Sequence, residues 1–139
     1  QYLTTILNVK PQQLIVYGRS VGGGSAIDLA SHQPVAGAIV ESTFTTAFRV
    51  LTRIPLFPFD KFSNIDKLDR LNCSLLVIHG TDDEVIPFAH GQQLFAAAKE
   101  PKQFLWVDGA GHNNLRDIAG DRYSTALQQF TATLGDRSP

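Results

Sequence analysis

The chain has 139 residues, with 12 Lys and Arg against 13 Asp and Glu for a net charge of −1, and this length suits one domain that buries roughly two thirds of its unfolded surface. Hydrophobic residues make up 43% and charged residues 18%, which excludes a disordered chain, and the scattered basic residues exclude the electrostatic footprint of a nucleic-acid binder. Apolar stretches such as 75–78 fall far short of the ~20 residues that a membrane-spanning helix needs.

Taken in chain order, residues 1–9 place Tyr2, Leu3, Ile6 and Leu7 at helical spacing and stop at Lys10-Pro11, where proline cannot continue a helix. The pattern reads as the end of a helix that begins upstream. The chain opens on Gln1 and contains no methionine, so a start upstream is also expected, together with any targeting signal. A strand is predicted at 14–17, then a helix over 21–31 that tolerates three consecutive glycines, and a second strand at 35–40. The connection 41–72 is rich in aromatics and broken by Pro55 and Pro58. A third strand follows at 75–79, a helix at about 88–99, a fourth strand at 103–107 and a last helix at about 123–134. That helix sets Tyr123, Ala126, Leu127, Phe130 and Leu134 on one stripe. The fold class is therefore α/β, a parallel sheet of about four strands with flanking helices and right-handed crossovers.

In such a sheet the chemistry gathers beyond the carboxyl ends of the strands. Those positions hold Gly18-Arg19-Ser20, Glu41-Ser42-Thr43, Gly80-Thr81-Asp82-Asp83 and Asp108-Gly109-Ala110-Gly111-His112, so a serine, acids and a histidine share one rim. Gly18-Arg19-Ser20-Val21-Gly22 is a G-x-S-x-G pattern between a strand and a helix, the context in which a serine is lifted clear of the sheet as a nucleophile. Side chains at Gly18 and Gly22 are expected to clash with the crowded turn. A serine hydroxyl is inert at neutral pH without a base, which His112 supplies, and the base needs an acid to orient it, drawn from Asp82, Asp83 or Glu84. The Val21 N–H, at a helix N-terminus directly after the serine, is the expected oxyanion donor. The competing readings are Ser20 as a helix N-cap, His112 as an exposed loop residue, and Asp82 or Asp83 as a cap of the helix at 88.

Other residues carry less. His79 closes a strand and reads as a buried, hydrogen-bonded residue, His32 and His90 read as surface positions, and Cys73 as a small core residue. A lone cysteine allows no internal disulfide and fits a reducing compartment, so a cytoplasmic location is expected. Gly24 stands where a phosphate-binding loop needs lysine, and neither a dinucleotide fingerprint nor metal-ligand spacing occurs, so no cofactor and no metal are expected.

These motifs, Tyr17-Gly18-Arg19-Ser20-Val21-Gly22-Gly23, Glu41-Ser42-Thr43-Phe44, Phe59-Asp60-Lys61-Phe62, His79-Gly80-Thr81-Asp82-Asp83-Glu84-Val85-Ile86 and Val107-Asp108-Gly109-Ala110-Gly111-His112-Asn113, resemble the α/β-hydrolase family of serine hydrolases. The likeness covers essentially the whole chain and is strongest to the branch that includes depalmitoylating hydrolases. The resemblance implies that Asp83 is the acid of a triad with Ser20 and His112, while Asp82 falls on a variable position. It also implies an eight-stranded catalytic domain of which residues 1–139 supply the C-terminal part, strands five to eight, without the loop that carries the second oxyanion donor. The expected function is hydrolysis of an ester or thioester in a small-molecule or acylated substrate, with a peptidase of the same fold or a non-catalytic scaffold as alternatives. Phe44, Phe48, Leu51, Ile54, Leu56, Phe57, Phe59 and Phe62 could line an acyl pocket or simply pack as core. An unpaired first strand would leave this piece prone to association on its own.

Overall fold

The computed structural model describes residues 2–46 and 63–135. Four parallel strands, β1 (Ile15–Arg19), β2 (Gly37–Glu41), β3 (Ser74–Gly80) and β4 (Lys102–Val107), pair in the order β1-β2-β3-β4. Ile15 lies opposite Gly37, Gly37 opposite Ser74 and Leu75 opposite Lys102, which brings the carboxyl ends of all four strands to one rim.

Period-two alternation in the central strands builds two cores from one sheet. Ala38 and Val40 of β2, with Leu75 and Val77 of β3, face one side, where Ile27, Leu68 and Leu94 cover them. Ile39, Leu76 and Ile78, with Val107 of β4, face the other side, where Leu115 and Phe130 cover them. Every residue of β2 and β3 is buried, which is why both read as continuous apolar runs. The first side is layered by α2 (Val21–His32), a 3-10 segment at Ile65–Arg70 and α3 (Phe88–Ala97), and the second by α4 (Leu115–Ala119) and α5 (Asp121–Gly135). Within α5, buried Phe130 and partly buried Tyr123, Leu127 and Leu134 pack against the second core, four of the five positions of the predicted stripe.

Some boundaries move. The opening helix is one turn, α1 (Tyr2–Thr5), and not a run to residue 9, because Asn8 takes a positive φ of 51°. The second strand begins at Gly37 and not at 35, and the helix at 88 ends at Ala97 and not at 99. Helix α4 was not legible at five residues, too short to establish a period. Of the aromatic segment, Phe44 is buried in the core, whereas Phe48, Leu51, Ile54, Leu56, Phe57, Phe59 and Phe62 lie outside the described residues.

Candidate active site

Ser20 sits between β1 and α2 with φ 53° and ψ −122°, a region that a side chain occupies only under strain. The turn is this tight because Gly18 backs onto the next turn of chain, where an added Cβ would lie 2.2 Å from the Gly22 carbonyl oxygen. The expectation for Gly22 is corrected: a Cβ there meets nothing within 4 Å, and the second crowded glycine is Gly23, whose Cβ would fall 2.3 Å from Thr43 Oγ1. Thr43 Oγ1 donates to the Ser20 carbonyl at 2.6 Å, so this close packing holds the serine from beneath. Ser20 stands at the N-cap position of α2, yet its side chain makes no cap hydrogen bond. It points instead to His112, whose Nε2 lies 3.2 Å from Ser20 Oγ.

The three acids after β3 have different fates. Asp83 is buried, and its Oδ1 accepts from the backbone N–H groups of Val85 at 2.9 Å and Ile86 at 2.7 Å. Its Oδ2 lies 2.8 Å from His112 Nδ1. Asp82 is exposed and accepts a hydroxyl proton from its neighbour Thr81, and Glu84 is exposed. Neither aspartate caps α3, where Pro87 takes the N-cap position. Because a carboxylate only accepts, His112 Nδ1 donates to Asp83, which leaves Nε2 of the neutral ring as an acceptor facing the Ser20 hydroxyl. The structure therefore brings together Ser20 and His112, which the motifs single out, and Asp83, which the resemblance picks from the three acids. Val21 occupies the first position of α2, where an N–H has no intrahelical partner.

Two loops carry Asp83 and His112, and they are bonded to one another. The Asp82 N–H donates to the Ala110 carbonyl at 3.0 Å and the Gly109 N–H to Thr81 Oγ1 at 2.8 Å. His79 is fully buried, as expected, and its Nε2 donates to the Ile86 carbonyl at 2.8 Å. Burial holds its pKa below the ordinary histidine value, and its Nδ1 has no hydrogen-bond partner among the described residues. His32 is exposed as expected, but His90 is not a surface residue: it is partly buried, with Nδ1 3.0 Å from Thr45 Oγ1. Half-buried Cys73 packs against the first core, and burial raises its thiol pKa. Among the described residues no cluster of His, Cys, Asp or Glu could hold a metal ion, and no helix is long and apolar enough to cross a membrane.

Glu41 stands on the rim with no role predicted from the sequence. It is 1% exposed, with Arg19 Nε 3.2 Å from one carboxylate oxygen and the hydroxyls of Tyr17 and Tyr123 each donating to the other at 2.6 Å. Arg116 donates to Tyr17 Oη at 2.7 Å and stands 3.6 Å from Glu41. Burial first, and donation to Glu41 second, push both tyrosine pKa values up. An acid closing the otherwise apolar run Gly-Ala-Ile-Val was the available signal, since a carboxylate is buried only where partners meet it.

A parallel sheet with a strained serine after its first strand, and an acid and a histidine after its third and fourth on the same rim, defines an α/β-hydrolase fold. Solved structures with this fold superpose on the chain. The esterase domain of a Rhodothermus marinus protein matches with a TM-score of 0.72 at 21% identity, over 91% of this chain and 62% of that one. The acylaminoacyl peptidase of Pyrococcus horikoshii matches with a TM-score of 0.80 at 14% identity, over 99% of this chain and 26% of that one. Within the fold, the family model described as the prolyl oligopeptidase family matches residues 1–136, and the chain belongs to that family. It is 40% identical over 132 residues to alpha/beta hydrolase domain-containing protein 17B of Xenopus laevis, across 94% of this chain and 45% of that protein. It is also 40% identical over 133 residues to alpha/beta hydrolase domain-containing protein 17C of Homo sapiens, across 94% of this chain and 40% of that protein. The chain thus spans less than half the length of these curated relatives.

Proposed function

We propose that residues 1–139 form the C-terminal part of a single α/β-hydrolase catalytic domain, and that the whole protein is a cofactor-independent serine hydrolase of esters or thioesters. The observation that carries this reading is the continuous Asp83–His112–Ser20 hydrogen-bond line, at 2.8 Å and 3.2 Å, ending on a strained serine. Ser20 Oγ attacks the substrate carbonyl while His112 Nε2 takes its proton, and the same nitrogen returns the proton to the leaving group. Water then attacks the acyl-enzyme with His112 again as base, releasing the acid and restoring Ser20. Asp83 keeps the ring in the tautomer that leaves Nε2 unprotonated, and two backbone N–H groups hold that carboxylate still. The Val21 N–H donates to the developing oxyanion.

The relatives named alpha/beta hydrolase domain-containing protein support hydrolysis in general, and the resemblance to depalmitoylating enzymes makes an acylated substrate the first to test. The family description and the peptidase superposition favour peptide cleavage as the second reading. Labelling of the full-length protein by a fluorophosphonate probe is expected, and Ser20→Ala is expected to abolish it. A folded wild-type protein that never labels would overturn the reading. Turnover of acyl thioesters against acylated peptides then separates the two substrate classes.

A further inference from the structure

Arg19 stands immediately before Ser20, and its planar head faces two ways. Its Nε lies 3.2 Å from Glu41 Oε1 on β2, while Nη2 donates to the backbone carbonyl of His112 and, at 3.2 Å, to Asn113 Oδ1. One side chain thus connects the end of β2 with the loop that bears the base, 93 residues further along. Glu41 is itself fixed through its other carboxylate oxygen by the Tyr17 and Tyr123 hydroxyls, with Arg116 3.6 Å from that oxygen.

We propose that Arg19, held by Glu41, is a positioning residue that sets the backbone of His112 so that its ring meets Ser20; the inference rests on the serine-hydrolase reading above. The His112 loop contains Gly109 at φ 70°, buried Ala110 and Gly111; Thr81 Oγ1 holds the Gly109 N–H and Asn114 Oδ1 the Gly111 N–H, and Arg19 is the side chain that holds the His112 carbonyl itself. The bond from Nδ1 to Asp83 fixes one edge of the ring and leaves a pivot about that bond. The opposite edge stands 3.2 Å from Ser20 Oγ, at the long limit for a hydrogen bond, where a small displacement breaks it. Arg19 removes the pivot by gripping the carbonyl of the same residue. An arginine does this because its fork is rigid and presents donors in fixed, separate directions, which a lysine ammonium does not. Glu41 also offsets the guanidinium charges of Arg19 and Arg116, which would otherwise oppose the imidazolium formed during the reaction.

The test uses the full-length protein, p-nitrophenyl acetate turnover and the rate of fluorophosphonate labelling, each expressed per folded molecule. Arg19→Ala and Arg19→Gln are expected to lower kcat and the labelling rate about 10- to 100-fold with KM within about twofold, because a shift of about 1 Å acts on the chemistry and not on binding. Arg19→Lys is expected to recover less than about a third of the loss. Glu41→Gln keeps an acceptor for the tyrosines but releases Arg19, and is expected to follow Arg19→Gln in kcat. Where Arg19→Ala unfolds, Arg19→Gln and Arg19→Lys decide, each scored with its own melting curve. Unchanged kcat per folded molecule, a loss confined to KM, or full rescue by lysine would overturn the inference while leaving the hydrolase reading intact. A wild-type protein that neither labels nor turns over overturns both.

Discussion

Ser20 is held at φ 53° beside Thr43, and a strained residue of this kind costs about 1–3 kcal/mol that surrounding contacts must outweigh. Those contacts are concentrated at two glycines, Gly18 and Gly23, and not at Gly22. Two single substitutions therefore diverge. Gly23→Ala drives a methyl into Thr43, displaces its hydroxyl from the Ser20 carbonyl and is expected to destabilise the fold by about 1–3 kcal/mol. Gly22→Ala meets open space within α2 and is expected to be neutral or to stabilise by up to about 1 kcal/mol. Urea unfolding midpoints of the two variants check the contrast, and equal losses would show that the Gly23–Thr43 contact does not support the turn. Glycine spacing in G-x-S-x-G was legible, but which glycine is crowded was not, because Thr43 approaches from a strand end 20 residues away in the chain.

The segment from β3 to α3 works as a unit. His79 at the end of β3 donates to the Ile86 carbonyl, while the N–H of Ile86 donates to Asp83, so one residue is gripped from both sides and the acid is set between them. His79 faces Asp83 at 3.6 Å and the edge of the Phe88 ring, with His112 as a further charged neighbour when protonated. Burial lowers its pKa in the folded state below the ordinary value of 6.5, so the unfolded chain binds the proton more readily. The stability this group contributes is complete above about pH 6.5 and is lost as pH falls below that value towards the folded pKa. His79→Gln retains a donor for Ile86 but does not titrate. It is expected to show a smaller loss of unfolding free energy between about pH 7.5 and 5.5 than the wild type, measured by urea denaturation. An equal loss in both proteins would remove His79 from the acid response. The strand at 75–79 and the helix beginning at about 88 are legible in the sequence, yet the choice among Asp82, Asp83 and Glu84 rests there on resemblance, and burial and hydrogen bonding set Asp83 apart from the other two.

Across the described residues the sheet has two edges, β1 and β4, and β1 presents Ile15 and Tyr17 at 37% and 43% exposure. An apolar edge with unpaired backbone groups is a template for pairing with another chain. The 139-residue chain expressed alone is expected to sediment as associated species, and Ile15→Lys is expected to raise its monomer fraction. A monomeric wild-type chain that unfolds cooperatively would refute this. By itself the sequence determined the alternation of strands and helices, the parallel sheet and the order serine, acid, histidine along one rim, because strand and helix periods and turn chemistry are properties of neighbouring residues. The tertiary structure alone decided that Asp83 receives His112, that Glu41 is buried between Tyr17, Tyr123 and Arg19, and that Arg19 reaches the His112 backbone. Those are meetings between residues up to 93 positions apart, and no local pattern encodes which side chains will share one low-dielectric space.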